Sequence, residues 1–167
     1  MVRALALLAC LLALPARAER WAAPGGAFTA ELPEGDGWTA VDVPPAAVAS
    51  LPPGGQVVAR RTADGRRAAL LTVIPGGREA QLSNEAVVGF EAGLFRDKPA
   101  TKLSSAREMI QGLPAYRYAA RLPNGAGMVG VVTVRAGVTY HIQAIAGDGD
   151  PMADPALAAW MEGWRLP

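Results

Sequence analysis

Along most of the chain, apolar and polar residues alternate with a period of two, which is the spacing of a strand with one face against a core. The segments 27–32 (AFTAEL) and 38–43 (WTAVDV) read this way, with a PEGDG turn between them, and so form an expected first hairpin. Residues 56–75 read as a second hairpin, because two β-rich runs flank Asp64-Gly65, a strong two-residue turn signal. From Lys102 onward the pattern predicts a meander. Tyr116, Tyr118, Ala120 and Leu122 alternate with Arg117 and Arg121, Asn124-Gly125 turns the chain, MVGVVTVR returns, Ala136-Gly137 turns again, and VTYHIQAIA follows.

The period changes to that of a helix twice. In SNEAVVGFEAGLFRD, Val87, Phe90, Leu94 and Phe95 recur at helical spacing, Ser83 or Asn84 is placed to cap, and Pro99 ends the run. Asp154 followed by Pro155 is a good N-cap and first-turn pair, and opens PALAAWMEGW. The stretch 44–55, with two Pro-Pro pairs, predicts mostly loop. The order gives an α+β fold: an antiparallel β-sheet packed by two main helices, in one domain over 19–167.

Composition changes this picture at the N-terminus. Arg3, the apolar run Ala4–Leu14 and the Ala16-Arg17-Ala18 tripeptide predict a signal peptide cleaved after Ala18. The apolar run is too short to span a bilayer, which takes about 20 residues. LLAC only loosely resembles a lipidation box at Cys10. The expected location is therefore periplasmic or secreted, with no transmembrane segment after cleavage. Cleavage leaves 149 residues, removes the only cysteine, and takes the formal charge from +1 to −1. Thiolate chemistry and disulfides are thereby excluded, and a near-neutral chain does not fit nucleic-acid binding.

Candidate chemistry is sparse. The single histidine, His141, precedes Asp148, Asp150 and Asp154. One histidine makes no usual zinc site. The aspartates fail a calcium loop because Met152 and Ala153 stand where a further ligand and a glycine are needed. Turn and cap roles explain them, and His141 is expected on the polar face of its strand with Thr139 and Gln143, away from a core of Tyr140, Ile142 and Ala144. GAGMVG (125–130) matches a dinucleotide fingerprint in letters only, since strand follows it where a helix must. None of Ser50, Ser83, Ser104 and Ser105 lies in a nucleophile elbow. Glu31 with Asp42 across the first hairpin is the one carboxylate pair worth naming. No catalytic residue, metal or cofactor is assigned.

Two binding elements remain. Arg60, Arg61, Arg66 and Arg67 flank the Asp64-Gly65 turn and suit an anion or an acidic partner, although alternation sets neighbouring arginines on opposite faces, and arginines at an exposed hairpin also serve to keep it soluble and block edge-to-edge pairing. Val48 and Leu51, between the proline pairs, suit either a partner contact or a loop folded down to bury them over the sheet edge.

FTAELPEGDGW, SNEAVVGFEAGL, GLPAYRYAARL, TYHIQAIAG and the terminal WRL together resemble the PsbP-like group, which includes photosystem accessory proteins and bacterial envelope proteins of the DcrB type. The resemblance covers most of the chain after residue 18 and implies an αβ sandwich serving as an accessory or binding protein rather than an enzyme. It carries no shared set of functional residues. The expectation is an exported, non-enzymatic protein engaging an envelope protein or complex, with a small anionic or lipidic ligand as the alternative and a hydrolase as the remote third.

Overall fold

A computed structural model describes residues 19–22, 28–35, 37–78, 82–96 and 100–166. The expected signal peptide, its cleavage site and Cys10 lie outside the described residues. In chain order the elements are β1 (Glu19–Ala22), β2 (Thr29–Leu32), β3 (Trp38–Ala40), α1 (Pro45–Ala49), β4 (Gln56–Thr62), β5 (Arg67–Pro75), α2 (Asn84–Arg96), β6 (Thr101–Ile110), β7 (Leu113–Arg121), β8 (Gly127–Arg135), β9 (Val138–Ala146) and α3 (Pro155–Gly163). A 3₁₀ turn at Pro151–Ala153 precedes α3.

Seven strands form one antiparallel sheet in the order β3-β4-β5-β9-β8-β7-β6, and β1 and β2 pair separately. The turns form where their chemistry places them. At the β4–β5 turn, Gly65 takes φ +70°, and Asp64 Oδ1 accepts from the Arg66 amide (3.0 Å) and the Thr62 hydroxyl (2.5 Å). Ala136 and Gly137 both take positive φ between β8 and β9, the twist a two-residue hairpin requires.

The first hairpin did not form as expected. β2 pairs with β1, a strand the pattern reading missed, while β3 joins the edge of the large sheet. Glu31 consequently faces Arg20, at 3.7 Å, and the expected Glu31–Asp42 pair has no hairpin to bring it together. The expected loop at 44–55 also contains a helical turn, α1, opened by Pro45.

One face of the sheet is covered by α3 together with the β1–β2 hairpin. Leu71, Val131, Ile142 and Ala144 are fully or almost fully buried there against Leu157, Trp160, Met161 and Trp164. Burying each large apolar side chain is worth about 1.5–3 kcal/mol. Phe28 stacks on Tyr140 at 4.7 Å and lies 6.1 Å from Trp164, while Thr29 and Arg165 exchange backbone hydrogen bonds of 2.9 and 2.8 Å. Asp154 caps α3 as expected, accepting from the amides of Ala156 and Leu157. Packing by two main helices therefore holds only in part, because α3 shares its face with a strand pair.

The opposite face is not solvated, contrary to the one-faced sheet expected. Tyr116, Tyr118, Ala120 and Met128 are buried there against Leu82, Val87, Phe90 and Phe95 from and beside α2. The signal was present in β8, whose apolar run barely alternates and which is buried at every position from Gly127 to Val134. Among the described residues, no helix is long and apolar enough to cross a membrane.

Candidate functional site

The α2 face is where the sheet's polar side chains meet an apolar lid. The strand register sets Tyr116, Val132 and His141 side by side in one cross-strand row, and Tyr118, Gly130 and Gln143 in the next. Gly130 is required there. The phenol end of Tyr118 lies against it, and a Cβ at that position would sit 2.3 Å from the ring's Cζ. The ring's hydroxyl thereby reaches β9. It lies 2.7 Å from His141 Nε2 and accepts from Gln143 Nε2 at 3.0 Å, and Gln143 also reaches Met128 Sδ at 3.4 Å. Phe90 of α2 sets its ring edge-on to His141, with centroids 5.5 Å apart.

Glu91, one residue further along α2, ties the helix to the sheet. Its carboxylate accepts from Lys102 Nζ of β6 at 2.8 Å and from the Tyr116 hydroxyl of β7. The Lys102 bond first, and the Tyr116 bond next, hold the Glu91 carboxyl below its ordinary value. Burial, and then the Glu91 carboxylate, push the Tyr116 phenol up to about 12. Burial holds the Tyr118 phenol well above the ordinary range. These two phenols stay protonated and Glu91 stays charged at neutral pH. The network positions side chains; it does not present a phenolate nucleophile or a protonated carboxylic acid.

Between α2 and the sheet, beside this network, lies a cavity of about 310 Å³. Ile74, Leu82, Val87, Phe90, Val132 and Val134 make most of its wall, and Tyr116, Thr139 and His141 supply its polar atoms. The expectation that His141 stands on a polar outer face is thus corrected. Its face is distinct from that of Tyr140, Ile142 and Ala144, as expected, but α2 covers it.

His141 and the aspartates are not brought together as a metal site. Asp148 pairs with Arg66 at 3.2 Å, Asp150 Oδ1 accepts from the Met152 amide, and Asp154 caps α3. Among the described residues, no three His, Cys, Asp or Glu side chains are grouped to hold a metal ion. The letters GAGMVG have structural work instead: Gly127 lets the Gly149 carbonyl approach, Gly130 seats Tyr118, and Gly125 turns the hairpin with φ +85°.

The four arginines are divided. The register places Arg60 and Arg61 on opposite faces of the sheet. Arg66 is exposed in its pair with Asp148. Arg67 binds Asp154 at 3.2 Å and lies over the Trp38 ring, 5.4 Å from its centroid. Val48 is exposed on α1, and Leu51 is half-buried just beyond it.

No family model matches the chain, and no curated protein sequence matches it. Among solved structures, it is similar to the cyanobacterial PsbP (CyanoP) of Synechocystis sp. PCC 6803, with a TM-score of 0.65 and 15% identity over 91% of this chain and 94% of that one. The chain has the PsbP-like fold. A protein of Bacteroides thetaiotaomicron is more distant, with a TM-score of 0.46 and 9% identity over 90% of this chain and 49% of that one. That second likeness carries no argument, and neither comparison bears on the DcrB-type relation.

Proposed function

We propose that the protein is an exported, non-enzymatic accessory module that engages another protein of the bacterial envelope by accepting a strand on β6. The observation that carries this reading is the edge itself. β6 runs ten residues, pairs with β7 on one side, and has no strand on its other side among the described residues. Every side chain from Thr101 to Arg107 is exposed, and the large apolar Leu103 and Met109 are 56% and 66% exposed. An edge of this length offers a row of backbone donors and acceptors to an added strand, and folded proteins ordinarily shorten or cover such edges. The opposite edge, β3, is three residues long. The PsbP-like fold supports the accessory half of the reading, and the charged start, apolar run and A-x-A tripeptide of residues 1–18 support export.

The test is site-specific photo-crosslinking in the native host, with the crosslinking residue placed in turn at Leu103, Met109, Arg61, Val48 and Val88. One defined protein captured from Leu103 and Met109, and not from Val88 on the outer side of α2, is the expected result. Capture from Arg61 instead moves the partner to the arginine hairpin, and capture from Val48 moves it to the 44–55 loop. No captured protein from any position overturns the partner reading. Binding of a small ligand, the other function considered, is favoured by a separate observation, the cavity beneath α2.

A further inference from the structure

We infer that the cavity between α2 and the sheet is a binding site for one small, neutral, largely hydrocarbon molecule. Three observations converge on that class. The volume, about 310 Å³, lies at the lower end of the range for small-molecule sites and is roughly twice the engineered 150 Å³ cavity that admits benzene. It therefore accommodates a single short chain or a fused pair of rings, and is too small for the two chains of a membrane lipid. Its described lining contains no Lys, Arg, Asp or Glu. A charged ligand group would lose its hydration there without an opposite charge to replace it, which disfavours an anionic group inside this cavity. The polar groups are few and concentrated. Thr139 and His141 stand two residues apart on β9 and face the cavity together, Tyr116 of β7 lines it with its hydroxyl given to Glu91, and Ile74 of β5, Val132 and Val134 of β8, Leu82 and the lining side chains of α2 are apolar. A ligand with one uncharged polar end fits with that end toward β9.

The neighbouring contacts fix the cavity's shape before anything binds. Glu91 joins α2 to β6 and β7, and the Tyr118–His141–Gln143 hydrogen bonds hold the floor, so the walls are set by groups that the ligand does not need to move. Such preformed sites hold apolar ligands without a large ordering cost.

The experiment uses residues 19–167 with N-phenyl-1-naphthylamine, a neutral apolar fluorophore, as probe. Decanol and decanoate at pH 8 serve as competitors of equal chain length and different charge. Methyl NMR of the wild-type protein locates the decanol. The expected results are saturable fluorescence enhancement, displacement by decanol at least tenfold more effective than by decanoate, and methyl shifts confined to Ile74, Leu82, Val87, Val132 and Val134. Val132→Phe, which places a ring in the cavity, should weaken the probe at least tenfold while the Leu71 and Ile142 methyls of the other face keep their positions. Ile74→Trp serves the same purpose if Val132→Phe does not fold. Absence of saturable binding, shifts centred on Leu103 and Met109, or equal displacement by decanoate would each overturn the inference. These readouts involve no crosslinked partner, so the edge-strand reading and the cavity reading fail separately.

Discussion

Gly130→Ala tests the central geometric claim, that Tyr118 is seated on a bare backbone. The added methyl would lie 2.3–2.5 Å from three atoms of the Tyr118 ring and hydroxyl. The ring is 1% exposed, with Phe95 edge-on and Tyr116 stacked beside it, so it has no open direction in which to yield. Overpacking of this kind costs about 1–3 kcal/mol. Moving the hydroxyl also removes its bonds with His141 (2.7 Å) and Gln143 (3.0 Å), each worth about 1 kcal/mol. Replacing glycine in a strand returns about 0.5–1 kcal/mol. The net expectation is a loss of about 2–4 kcal/mol, which for a domain of this size lowers Tm by roughly 5–15 °C. Urea unfolding followed by the fluorescence of the buried Trp160 and Trp164 measures it. The decisive comparison repeats the substitution in a Tyr118→Leu background. With the ring gone, the methyl enters vacated space, and Gly130→Ala should become neutral or stabilising, a coupling of at least about 2 kcal/mol. A wild-type cost below about 1 kcal/mol, or the same cost in both backgrounds, would refute the seating.

Asp154→Ala should cost about 1–2 kcal/mol in chemical denaturation, because it removes the cap of α3 as well as the partner of Arg67. Arg67→Ala should cost less than Asp154→Ala, since it leaves the cap in place. The folded Glu91 carboxyl titrates below its ordinary 4.5, so its contribution is present above that value and is lost as pH falls through the lowered folded value. Glu91→Gln should flatten the acid limb of the stability curve, and an unchanged acid limb would count against the Lys102–Glu91–Tyr116 tie. The sign is opposite for Tyr116, whose folded value of about 12 exceeds the ordinary 10. Its contribution is full below 10 and lost as pH rises through 12, so Tyr116→Phe should remove that alkaline loss. Gln111 sits at φ +52° in the β6–β7 turn, donates to the Trp164 carbonyl at 2.7 Å and accepts from the Leu166 amide at 3.2 Å. Gln111→Ala should speed hydrogen exchange of the Leu166 amide while leaving the β8–β9 ladder unaffected.

Much of the architecture is legible in local chemistry. Asp64-Gly65, Asn124-Gly125 and Ala136-Gly137 each place a turn, and Asp154-Pro155 opens a helix, because a turn or a cap is decided by atoms a few residues apart. The candidate site is far less legible. Its row of Tyr116, Val132 and His141 draws on three strands, and its lid comes from a helix more than twenty residues earlier than the first of them. The near-continuous apolar run of β8 was the one sign that this face is covered too.

The residue pattern thus carries the α+β class, the order of hairpins and helices from residue 56 onward, the absence of cysteine after residue 18, and the division of β9 into two faces. Long-range packing settled the rest: that β2 pairs with β1 rather than β3, that His141 lies under α2, that Arg66 and Arg67 are held by Asp148 and Asp154, and that β6 ends the large sheet as a long exposed edge among the described residues. What separates the two is the range of the interactions. Periodicity and turn chemistry are set by near neighbours, whereas strand partners, helix placement and the ion pairs of Arg66 and Arg67, which span more than eighty residues, depend on which distant surfaces bury the most apolar area together.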